Sequence, residues 1–182
     1  MKNLFYITLL VFIISCGNNS SQKPLPVKNA KTLDGKIILL GKINHANLKN
    51  SEHVKWFEEE YSRYNVNKDW VESVKNLFKN VRLKLFMGTW CEDSEREVPA
   101  IFKILNAVNF DQNKIEIYAM SEEKTTPNNF ERGLNIIKVP TLIFYKNGIE
   151  LNRFVEFPIT SLEEDFKKIL AGEKYYNAYY SE

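Results

Sequence analysis

Cysteine is nearly absent from this chain. Of 182 residues only Cys16 and Cys91 are cysteines, so the body of the protein holds one thiol and an internal structural disulfide is excluded. Histidine is as scarce: His45 and His53 stand alone, with no cysteine near them in sequence. No metal site is read from so thin a ligand set, and both are taken as surface or capping residues. An excess of one charge is also missing. The 25 Lys and Arg face 23 Asp and Glu, interspersed without a basic stripe, which argues against nucleic acid as a partner. No internal repeat, second domain or cofactor motif stands out. What is present is an ordinary globular composition, 44% hydrophobic and 13% aromatic, enough for one domain of average size with appendages.

The long apolar run is confined to the start. MKNLFYITLLVFIISC places Lys2 before about a dozen apolar residues, then Ser15-Cys16. Such a run is too short to span a bilayer comfortably and has the layout of a secretory signal. Ile13-Ile14-Ser15-Cys16 resembles a bacterial lipobox, in which the cysteine receives a thioether-linked diacylglycerol and becomes residue one after cleavage. The competing reading is a plain N-terminal anchor with Cys16 incidental. On the lipoprotein reading, residues 1–15 are a signal peptide and 16–30 are the lipidated Cys16 plus a flexible tether, GNNSSQKPLPVKN. Several acyl chains anchor durably where one does not. The expected location is the cell envelope, lipid-anchored and facing the periplasm, where a lone thiol meets disulfide-handling neighbours.

Residues 31–80 are expected to add a strand, KIILLGKI (36–43), and two helices. Ser51 is read as the cap of the first, which carries Val54, Phe57 and Tyr61 at helical spacing; Trp70, Val74, Leu77 and Phe78 mark the second. From 81 to 172 the pattern becomes strand (81–88), helix (from Cys91), strand (114–120), polar loop, strand (141–146), Asn147-Gly148 turn, strand (149–155) and helix. Ser161 and Glu164 form a capping box for that last helix and Gly172 ends it. Residues 173–182 are an aromatic tail that the sequence leaves undecided between packed and loose.

Three features in this order carry a resemblance to the thioredoxin superfamily. Trp90-Cys91 stands at a strand–helix junction with Ser94 three residues after the thiol. Pro99 lies eight residues after Cys91. Val139-Pro140-Thr141 precedes a hairpin. The resemblance covers about residues 81–170 and is weaker before. It implies a thioredoxin-like three-layer α/β/α sandwich with a mixed central sheet and an N-terminal strand and helix extension. It also implies a cis Val139–Pro140 bond beside Cys91, with residues 139–141 receiving an extended peptide by strand addition. Catalytic candidates are Cys91, Ser94, Trp90 and Pro140.

Two departures from that family go together. Ser94 occupies the place of the second cysteine and cannot resolve a mixed disulfide. Leu85, six residues before Cys91, replaces the buried acid that assists the second cysteine. At the start of its helix, Cys91 feels free backbone N–H groups and the dipole, which favour thiolate. Glu92, Asp93 and Glu95 act the other way. Three readings stay open. Cys91 is a monothiol nucleophile toward a disulfide-containing or thiol-capped protein, released by an external thiol reductant with Ser94 hydrogen-bonded to its sulfur. Or the domain is a redox-inactive adaptor that engages a partner through the cis-proline groove. Or Cys91 is peroxidatic, the weakest case, because Gly88 stands where peroxiredoxins have threonine.

Overall fold

The computed structural model describes residues 22–51 and 54–180. In VRLKLFM, Val81, Leu83, Leu85 and Met87 fall on one side of a strand and are all but fully buried, giving β3 (Val81–Met87). Helix α4 (Glu92–Ala107) then returns the chain to β4 (Ile115–Ala119), parallel to β3. On the other side of β3 runs β5 (Thr141–Lys146), antiparallel, and β6 (Ile149–Val155) folds back on it. Their turn is Asn147-Gly148, with φ of 54° and 81°, the left-handed pair that a tight hairpin needs. Helix α5 (Leu162–Ala171) starts where the Ser161 hydroxyl accepts the Glu164 N–H (3.2 Å) and stops at Gly172, φ 69°.

The N-terminal part adds β1 (Lys28–Lys31), β2 (Ile37–Ile43), α1 (His45–Asn50), α2 (Trp56–Arg63) and α3 (Lys68–Val74). Strand β2 joins β4 antiparallel and β1 lies outside it, so the sheet order is β1-β2-β4-β3-β5-β6. This mixed sheet with packed helices is the α/β fold expected. One face carries the larger core, where residues of all five described helices meet Leu39, Leu83, Leu85, Ile117 and Phe144. The opposite face buries Phe86, Tyr118 and Ile143 under Phe130, Leu134 and Ile136. These last three come from the turn-rich segment 121–140, so that layer is irregular chain rather than helix.

Several expectations need correction. The tether does not extend to residue 30: the Asn44 amide donates to Lys23 O (2.7 Å), and Asn47 both accepts from Leu25 N–H (3.1 Å) and donates to Leu25 O (2.8 Å). A buried asparagine side chain there offers the chain one donor and one acceptor, as a neighbouring strand would. Asn44 and Asn47 also form a capping box that opens α1, a helix the sequence reading lacked. Ser51 closes α1 while its carbonyl accepts the Val54 N–H (3.2 Å), and α2 begins at Trp56. The tail packs: Tyr175 is buried, its hydroxyl donating to the buried Asp165 (3.1 Å), and Asn152 donates to its carbonyl (3.0 Å). Cys16, the leader and His53 lie outside the described residues.

His45 is not a surface residue either. Its ring stacks on Phe102 of α4 (4.4 Å between centroids, 3° between planes) and meets the edge of Phe57 of α2. Burial first, and Lys49 one turn on second, push its pKa from 6.5 down to about 4. The unfolded chain binds this proton more readily than the folded one between those values. The stability that neutral His45 contributes is therefore complete above pH 6.5 and is lost as pH falls toward 4. The loss amounts to at most about 3 kcal/mol, trimmed by solvent screening because the residue is only partly buried. Urea midpoints near neutrality and at about pH 4.5 should converge more closely in His45→Gln than in the parent; equal slopes in the two would dismiss this role for His45.

Candidate active site

The site forms where β3 ends. Gly88 and Thr89 leave the strand, Trp90 turns the chain, and Cys91 is the N-cap of α4 with extended backbone (φ −95°, ψ 121°). The Cys91 N–H donates to Gly88 O (3.1 Å), and its carbonyl accepts the Glu95 N–H (2.9 Å), the first bond of the helix. Trp90 is pinned: its indole N–H donates to Met120 O (2.9 Å) at the end of β4. Gly88 must be glycine for this packing, because a Cβ there would stand 2.6 Å from the Trp90 ring. Thr89, fully buried, accepts the Leu39 N–H (3.1 Å) and so ties the Cys91 turn to β2. Neither role was legible beforehand, since a Gly-Thr pair after a strand reads only as a turn.

Across from the thiol lies the segment before β5. The Val139–Pro140 bond is cis, and the half-buried Cys91 sulfur donates to Val139 O at 3.3 Å. Cys91, Trp90, Val139 and Pro140 thus meet at one end of the sheet. Thr141 lies in the first position of β5, but its hydroxyl is buried and donates to Lys138 O (2.7 Å), so it braces the turn from within. Ser94 is fully buried one turn into α4, and its hydroxyl oxygen accepts the Gly88 N–H (3.2 Å) rather than facing the sulfur as the sequence suggested. Pro99 sits inside α4, buried, and Leu85 lies wholly in the core between Ile117 and Leu142.

Around the thiol the charges are mostly spoken for. Asp93 pairs with Arg96 (2.6 Å) and Glu95 with Lys36 (3.1 Å), while Lys124 stands over the Trp90 ring at 6.0 Å. Cys91 is a free thiol, and no group of three His, Cys, Asp or Glu able to hold a metal occurs among the described residues. A groove of about 700 Å³ lies elsewhere, between α2, α3 and the last turns of α4, lined in part by Tyr61, Tyr64, Val71 and Lys103. Lys103 is twelve positions along the helix from Cys91, roughly 18 Å away, so this groove does not serve the thiol.

A family model described as thioredoxin matches residues 42–167. It therefore takes in the last two residues of β2, the helical extension and almost all of the core, more than the motif at Trp90-Cys91 alone. Among solved structures, a Pseudomonas aeruginosa protein of unknown function is 19% identical with a TM-score of 0.42, over 64% of this chain and 69% of that one. An HIV epitope scaffold has the same identity and TM-score, over 65% of this chain and 72% of that one. No curated protein matches the chain.

Proposed function

Because this chain belongs to the thioredoxin family, we propose that it acts in thiol–disulfide homeostasis of the cell envelope through the single thiol of Cys91, held to the membrane by lipid on Cys16. The observation that carries this reading is one half-buried, free cysteine at the N-cap of α4, against the cis-proline turn, with Ser94 buried where a second thiol would stand. The step is a balanced exchange. Cys91 loses its proton to solvent, and its sulfur attacks the outer sulfur of a thiol capped by a small molecule. A bond forms from Cys91 to the cap while the protein substrate leaves as thiolate. A second small thiol then attacks the cap's sulfur, yielding a small-molecule disulfide and regenerating Cys91. No internal resolving thiol is needed, which suits Ser94. Leu85 suits it as well, because no second cysteine requires deprotonation. Among the described residues no helix is long and apolar enough to cross a membrane.

A second reading, an adaptor that binds a partner through the cis-proline groove without redox chemistry, draws on a specific feature. The Cys91 thiol already donates to Val139 O, and Ser94 turns to Gly88 instead of the sulfur. A glutathionylated peptide separates the two. The full chain should release glutathione from it in the presence of excess thiol, and Cys91→Ser should reduce release to the uncatalysed rate. Equal release by both proteins would leave the adaptor.

A further inference from the structure

The tail beyond α5 reaches the thiol site through one residue. Tyr179 donates its hydroxyl to Glu156. The other oxygen of Glu156 pairs with Lys138 Nζ (3.2 Å), and that ammonium stands over the Tyr179 ring at 5.0 Å. Phe157 meets the same ring, 6.2 Å between centroids. The Glu156 main chain is engaged too, its N–H donating to Pro140 O (2.7 Å). Glu156 adopts φ 64°, a left-handed conformation that a residue with a side chain keeps only where its surroundings impose it. Lys138 O is fastened by Thr141, and the next carbonyl along, that of Val139, receives the Cys91 S–H. A contiguous run of contacts thus leads from Tyr179 to the sulfur.

We propose that Tyr179 is a positioning residue for Cys91: by fixing Glu156, and through it Lys138 and Pro140, it holds the Val139 carbonyl against the thiol and so restrains the sulfur. Freed from Tyr179, the 138–140 turn relaxes, the S–H···O bond lengthens, and the sulfur is less tightly held against attack. This holds whether Cys91 exchanges disulfides or only binds a partner, and the test needs no substrate, so its failure is separate from failure of the exchange reading.

The test uses the full chain carrying Cys16→Ser, in which Cys91 is the sole thiol. Tyr179→Phe keeps the ring on Lys138 and Phe157 but removes the hydroxyl; Lys138→Met breaks the same link from its other end. Tyr176→Phe, in the same tail but exposed and stacked only among tail residues, is the control. Two quantities are read, the infrared S–H stretching band and the rate of alkylation by iodoacetamide at fixed pH. Tyr179→Phe and Lys138→Met should move the band toward that of a free thiol and speed alkylation roughly two- to tenfold, the range expected for loss of one hydrogen bond. Tyr176→Phe should change neither. A band and rate in Tyr179→Phe that coincide with the parent would overturn the proposal. So would faster alkylation with an unmoved band, which would make the tail a steric cover.

Discussion

Ser94→Cys should give the site the dithiol chemistry it lacks. In a chain that also carries Cys16→Ser, the introduced thiol and Cys91 should close a disulfide in a mildly oxidising glutathione buffer. Free-thiol titration would then fall from two per chain to none, and the mass would drop by two hydrogens. Residues three apart at a helix start bring their Cα atoms into the range a disulfide tolerates, about 4.4–6.8 Å. Ser94 is buried directly beneath the Cys91 turn, with its side chain directed at Gly88 N. The larger sulfur weakens that one hydrogen bond, a modest cost beside the new bond. Reopening should be slow, because Leu85 supplies no proton relay under the pair. Two thiols that stay free across the whole range of redox buffers would show that the start of α4 does not bring positions 91 and 94 within disulfide reach.

The largest loss of stability is expected from Phe102→Ala. Phe102 is fully buried on α4, edge-on to Phe57 (5.8 Å between centroids) and beneath the stacked ring of His45. It is therefore the point at which α1 and α2 are fastened to the core. Truncation should cost about 3–5 kcal/mol in urea or thermal unfolding, a large share of the 5–15 kcal/mol typical of a domain. Because the same ring walls off His45, the acid sensitivity ascribed to that histidine should fade in the variant, and the double mutant with His45→Gln should fall short of additivity. Additive losses would mean that the two rings do not share one environment.

What the sequence disclosed depended on whether the governing contacts were local. The hairpin at Asn147-Gly148 and the start at Ser161 and stop at Gly172 of α5 were legible because each is decided by a residue or two adopting the backbone they favour. The alternation in β3 and the acidic opening of α4 were legible for the same reason. Strand β2 was legible too, but the rest of residues 22–50 was not. There the structure rests on Asn47, whose amide serves Leu25 and Asn44 together, and a polar Asn-rich stretch looks like loop until the chain is folded around it. At the site, Trp90, Cys91, Ser94 and Pro140 could be named in advance and do meet. That the Ser94 oxygen turns to Gly88, that Thr89 holds β2, and that Tyr179 reaches Glu156 all depend on partners far away in sequence or on packing around one glycine.

The hold that Asn44 and Asn47 exert on Lys23 and Leu25 sets a height. If Cys16 carries the lipid, only six residues separate it from Lys23, whose carbonyl Asn44 holds, and a fully extended chain spans at most about 3.6 Å per residue. The domain then rides no more than roughly 25 Å above the bilayer. On that condition the reach of the thiol would be confined to what lies near the membrane surface.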